Sequence, residues 1–104
     1  MNQDVYMKSF LDIPEEIYME KFTPMEERLK NTNIEEAFQK LKQTVEIKDF
    51  EKYFNSLIKI KKHEKDMIII THGENHRAII IREYFDLIKK IFEVSNIIIV
   101  AQAI

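Results

Sequence analysis

Cysteine is absent from the 104 residues. That excludes a disulfide framework and any zinc site built on thiolates. Glycine occurs once, as Gly73, and proline twice, as Pro14 and Pro24, so each breaker marks a place where regular structure stops or turns. No glycine-rich phosphate loop exists. Neither sign of charge dominates: 16 bases face 18 acids, for a net charge of -2. Strong sequence-independent nucleic-acid binding needs a basic face, and this balance does not predict one. Long apolar runs are missing too. The runs Ile97–Ala101 and Ala78–Ile81 fall far short of the roughly 18 residues a membrane span requires. Met1–Leu11 lacks the apolar core of a signal peptide. These absences predict a cytoplasmic chain without membrane contact.

What is present suffices for one folded domain. Apolar residues make up 45% of the chain, and a domain of this length buries well over half of its unfolded surface without staples. The charge is unevenly spread. Residues 1–33 hold seven acids and four bases, and residues 34–104 hold eleven acids and twelve bases. The chain divides accordingly into a helical N-terminal extension, 1–33, and a main domain, 34–104.

In the extension, Asp12, Pro14 and Glu15 read as a helix start, with Ile13, Ile17, Tyr18 and Phe22 on its apolar face. Thr23-Pro24-Met25-Glu26 is a second start, with Thr23 as cap, Pro24 in the first turn and Glu26 reaching back. Helices this short are marginal alone and must dock on something. From Asn33 a capping pair with Glu36 opens a stripe of Ile34, Ala37, Phe38, Leu41 and Val45. A second helix over about 47–57 presents Ile47, Phe50, Phe54 and Leu57, with Tyr53 beside them.

The period then changes. Ile58-Lys59-Ile60-Lys61 alternates as a half-buried strand does, His63–Asp66 is a turn, and Met67–Thr71 completes a hairpin. Asn75 caps a helix running to about Val94. It carries two apolar stripes: Ala78, Ile81, Phe85, Ile88 and Phe92, and beside it Ile80, Tyr84, Leu87 and Ile91. One stripe covers the sheet. The other is covered by the first helices, by the extension or by a partner. Ile97–Val100 reads as a strand buried on both faces, and so as the central strand. The predicted class is α+β, with the order α-α-β-β-α-β around a three-stranded sheet.

That order and these residues resemble the KH-like N-terminal domain of the bacterial replication initiator DnaA, over about residues 34–104. The second-helix element is Asp49-Phe50-Glu51-Lys52-Tyr53-Phe54-Asn55-Ser56-Leu57, with Phe50, Tyr53 and Leu57 at the family's core aromatic and leucine positions. The third-helix element Arg82-Glu83-Tyr84-Phe85-Asp86-Leu87-Ile88 carries Tyr84 and Ile88 at the family spacing. The family's Pro-Asn turn stands here as Gly73-Glu74-Asn75, and Arg77 stands where an apolar residue is usual. The resemblance implies a non-enzymatic domain of replication initiation that self-associates or recruits a replicative helicase or a regulator. It implies contacts on the second helix, at Glu46, Asp49, Lys52 and Tyr53, and near the start of the third, at Arg77.

Three other constellations have a functional and a plain reading. Lys59, Lys61 and Lys62 form the densest basic cluster. They are either the lysines that protect an edge strand from aggregation or a weak contact for single-stranded nucleic acid, as in a small KH-like nucleic-acid-binding protein. KH domains use a Gly-x-x-Gly loop, which one glycine cannot supply. His72-Gly73-Glu74-Asn75-His76 has the composition of a metal site, but Gly73 prevents a helical i, i+4 pair and a third ligand is wanting. The predicted reading is a turn with no metal. Glu74 and His76 in so polar a loop are read as solvated rather than as an acid–base pair, so no catalytic residue and no cofactor are predicted.

Overall fold

The change of period near residue 58 marks the start of the sheet. The computed structural model describes residues 23–102. Strand β1 is Lys59–His63 and strand β2 is Asp66–His72, paired antiparallel with Ile60 opposite Ile69. A two-residue turn joins them, with Glu64 in the left-handed region at φ 57°. Strand β3, Asn96–Gln102, runs parallel to β2 with Ile69 opposite Ile99. The order in the sheet is β1-β2-β3, so β2 is central. This corrects the expectation that the isoleucine run at 97–100 forms the central strand. A run that is apolar on both faces is buried on both only where something covers each face. In β3 only alternate residues are covered: Ile99 is buried, while Ile98 is 61% and Val100 42% exposed. β1 is an edge strand, as its lysines suggested.

Five helices are formed among the described residues, and their buried side chains join one core with one face of the sheet. They are α1, Met25–Arg28; α2, Glu35–Thr44; α3, Ile47–Asp49; α4, Gly73–Ile79; and α5, Phe85–Phe92. A π-helical turn, Phe50–Phe54, continues α3, closed by Asn55 N–H donating to the Phe50 carbonyl at 2.9 Å. A second, Ile80–Tyr84, joins α4 to α5. The described residues thus form an α+β domain with several helices over a mixed three-stranded sheet. The helix expected over about 12–22 lies outside the described residues.

The second π turn resolves the two-stripe pattern of the third helical segment. Ile80, Ile88 and Phe92 are buried and Tyr84 packs against them, whereas Ala78 and Ile81 are exposed. In an uninterrupted α-helix the twelve steps from Ile80 to Phe92 would leave these two roughly 120° apart. One extra residue in a π turn removes about 100° of that and returns them to one face. The distortion falls at Tyr84, whose φ is -127° and ψ 1°. The buried face is therefore drawn from both stripes.

The core contains Phe38 and Leu41 of α2, Phe50 and Phe54 of the first π turn, and Ile60, Met67, Ile69 and Ile99 of the sheet. The Phe38 and Phe50 rings lie 5.0 Å apart, tilted by 55°. Met25 and Leu29, from the segment before residue 34, belong to this same cluster. A polar clamp holds that segment. Asn55, itself buried, accepts from the Glu26 N–H at 2.9 Å and donates to the carboxylates of Glu26 at 2.9 Å and Glu51 at 3.0 Å. Lys42 closes it by donating to Glu26 at 2.9 Å. Glu26 thus turns to Asn55 and Lys42, not back to Thr23, and Thr23 caps nothing. Nor does Asn33 cap α2; its side chain donates to the Lys62 carbonyl at 3.3 Å. The third helical segment starts at Gly73 rather than Asn75.

Candidate protein-binding surface

Strand alternation decides which side chains leave the core. On β1, β2 and β3 the residues Ile60, Met67, Ile69, Thr71 and Ile99 turn toward the helices and are buried. Their neighbours turn the other way. The register aligns Lys61, Ile68 and Ile98 in one row and Lys59, Ile70 and Val100 in the next. No helix among the described residues covers this outer face. It pairs an apolar strip on β2 and β3 with two exposed lysines on β1. Neither lysine makes a salt bridge among the described residues. Lys62 alternates to the opposite side and is half-buried, so the three lysines of the sequence cluster do not form one patch.

The strip opens at the β1 edge into a groove of about 710 Å³. Its walls are α1, the 32–34 connection and β1, and it reaches across to Ile68 and Ile98. Arg28, Lys59, Lys61 and Lys62 line it against a single acid, Asp66. Arg28 is already committed, donating to the carbonyls of Leu57 at 3.3 Å and Ile58 at 2.7 Å. The Asp66 carboxylate accepts from the Asn96 side chain at 2.9 Å.

The contact residues implied by the resemblance lie elsewhere, and several have structural partners. Asp49 accepts a short hydrogen bond from the Tyr84 hydroxyl, tying α3 to the second π turn. Burial, and then this hydrogen bond, push the Tyr84 hydroxyl up to about 12. Arg77 donates from Nε to the Ile99 carbonyl at 2.7 Å and from Nη1 to Glu74 at 3.0 Å. It therefore anchors α4 to β3. Tyr53 is half-buried and meets the His76 ring edge-on at 5.1 Å. Lys52 lies over the Tyr53 ring at 5.4 Å. Glu46 is exposed. Of this set, Glu46 and Lys52 are exposed, while Asp49, Tyr53 and Arg77 are half-buried.

His72 and His76 end β2 and lie in α4, and the Nδ1 atom of each is buried without a hydrogen-bond partner. Burial first, then Lys52 and His72, hold the His76 imidazole below its usual range, which favours the neutral ring. Among the described residues no group of three or more His, Cys, Asp or Glu is placed to hold a metal ion. Gly73 lies between the two histidines at φ 83° and makes the strand-to-helix junction. No helix of the described residues is long and apolar enough to cross a membrane.

The apolar strip was missed in the sequence, although a signal was present. Ile98 and Val100 alternate with Ile97 and Ile99, and a strand that is apolar on both sides is either central or has an exposed apolar face. Comparison with known proteins leaves the question to the geometry: no family model, no curated protein and no solved structure matches the chain.

Proposed function

We propose that this chain is a non-enzymatic protein-binding domain and that it docks its partner on the outer face of the sheet. The observation that carries the reading is the uncovered strip in which Ile98 and Val100 stand beside Ile68 and Ile70. Fully burying one aliphatic side chain of this size is favourable by about 1.5–3 kcal/mol, and contiguous exposed apolar area of this kind marks an interaction site. The element order α-α-β-β-α-β supports a KH-like domain resembling the N-terminal domain of DnaA. That resemblance supplies the partners: a replicative helicase, a regulator of replication initiation or a second copy. The reading assigns the domain no reaction and no cofactor.

Sedimentation velocity of the full chain, alone and with purified replicative helicase from the same source, tests it. The expected result is a complex or a self-associated species that the double variant Ile98→Asp/Val100→Asp loses. A wild-type chain that stays monomeric and unbound at high micromolar concentration removes the proposal. A double variant that binds as well as wild type moves the surface to Asp49, Lys52 and Tyr53.

Lys59 and Lys61, side by side on the same face, favour a second reading, single-stranded nucleic-acid binding. The three strands contain no Phe, Tyr or Trp. The face thus lacks the aromatic stacking that contributes about 1–3 kcal/mol per base in single-strand binders, and the protein reading is preferred. Titration with single-stranded DNA and RNA at low and moderate salt separates the two. A response abolished by Lys59→Ala/Lys61→Ala/Lys62→Ala reverses the preference.

A further inference from the structure

The groove at the β1 edge is lined by Met25, and the described chain begins at residue 23. The 22 residues before it therefore start beside the groove. They carry five acids and two bases, whereas the groove presents the exposed Lys59 and Lys61 on the outer face against the single acid Asp66. Their apolar residues, among them Ile13, Ile17 and Phe22, are interleaved with Asp12, Glu15, Glu16 and Glu20. A sequence of this kind matches an apolar floor with a basic rim. Reach is no constraint, since 22 residues extend to about 70 Å and three strands span only about 10 Å.

We propose that residues 1–22 are an intramolecular ligand of the outer sheet face, occupying the groove along β1 and the Ile68–Ile98 strip in competition with a partner. The proposal rests on the reading of that face as a docking surface. Acids of the segment lie against Lys59 and Lys61, and its apolar residues lie on Ile68 and Ile98. Competition follows from sharing one surface. A partner must displace the segment, and its apparent affinity falls by the fraction of time the segment is docked. The attraction has an exposed ionic component, so docking weakens as salt shortens the roughly 10 Å screening length of 0.1 M solution.

The absence of cysteine allows a direct test in the full chain. A spin label attached through Ser9→Cys broadens nearby NMR signals. The expected result is loss of the Ile68 and Ile98 methyl signals and of the Lys59 and Lys61 amides, with Ile47 and Ile81 on the helical side unaffected. High salt restores the lost signals. Lys59→Glu/Lys61→Glu also restores them, and adding Glu15→Lys/Glu16→Lys/Glu20→Lys to that variant broadens them again. The idea is overturned if no outer-face signal is lost, if the loss falls on the helical side, or if charge reversal leaves the pattern unchanged. It is equally overturned if the loss appears only between molecules, when spin-labelled chain without isotope is mixed with isotope-labelled chain. That result makes a second copy the occupant. None of these failures bears on helicase binding, which the sedimentation experiment reads independently.

Discussion

Ile98 and Ile99 are consecutive residues of one strand with the same side chain, yet one is 61% and the other 7% exposed. The inner face of the sheet meets Phe38, Leu41, Phe50, Ile88 and Phe92, and its residues are part of a closed core. The outer face presents Ile68, Ile70, Ile98 and Val100 with no helix over them among the described residues. Folding explains the first set, because a sheet needs one buried face. It does not require the second, since an antiparallel or mixed sheet is stable with a polar outer face. Apolar residues beyond the needs of folding are the physical content of the proposed docking surface.

The largest effect belongs to the inner layer. Phe38→Ala, at a fully buried position packed on Phe50, is expected to cost about 3–5 kcal/mol in urea unfolding, while Ile98→Ala, 61% exposed on the outer face, changes stability by less than about 1 kcal/mol. Equal losses would mean that both faces are core. Next is the clamp that holds α1 in the domain. Asn55→Ala leaves Glu26 and Glu51 without their shared amide and is expected to cost about 1–3 kcal/mol.

The clamp also has a pH signature. Asn55 first, and Lys42 second, hold the Glu26 carboxyl below its ordinary value of 4.5. A lowered pKa in the folded state contributes stability that is complete above the unfolded pKa and is lost as pH falls through the folded one. Acid unfolding below 4.5 should therefore be shallower in Glu26→Gln. A third, smaller effect sits at the strand-to-helix junction. Nothing lies within 4 Å of a Cβ built on Gly73, but its φ is 83°, so Gly73→Ala should cost about 1–2 kcal/mol through backbone strain alone.

The smallest effect is at Tyr84. Tyr84→Phe removes the hydrogen bond to Asp49 and should cost about 0.5–1.5 kcal/mol. With its hydroxyl pushed up to about 12 from an ordinary 10.0, Tyr84 favours the folded state as long as the unfolded tyrosine is neutral. Stability is expected to fall as pH rises from 10 to 12, and ultraviolet titration should show one tyrosine ionising last. A variant that leaves that late step in place assigns it to another residue.

Much of this arrangement was legible in the sequence, for identifiable reasons. The i, i+3, i+4 stripe of Ile34, Phe38 and Leu41 specified α2, and alternation with lysine specified β1 as an edge strand. Two features were not legible. The π turn at Ile80–Tyr84 shifts the helical register by one residue, and a pattern read at one fixed period splits the resulting face into two stripes. The position of β3 was misread because apolar residues on both sides of a strand signal burial only when something covers both. The face that now carries the functional reading is the one where that assumption fails. The contact positions taken from the resemblance, Asp49 and Arg77 above all, turn out to have intramolecular partners in Tyr84 and Ile99. A charge seen in sequence does not disclose such a partner.

The sheet folds with one face and, as proposed, binds with the other. Equilibrium unfolding of Ile98→Asp and Ile99→Asp in the full chain compares the two faces one residue apart. The expectation is that Ile99→Asp loses more than about 3 kcal/mol or does not fold, because a carboxylate is buried without a partner. Ile98→Asp should stay folded within about 1 kcal/mol of wild type. Equal collapse of both variants would make the outer face part of the core and contradict the account.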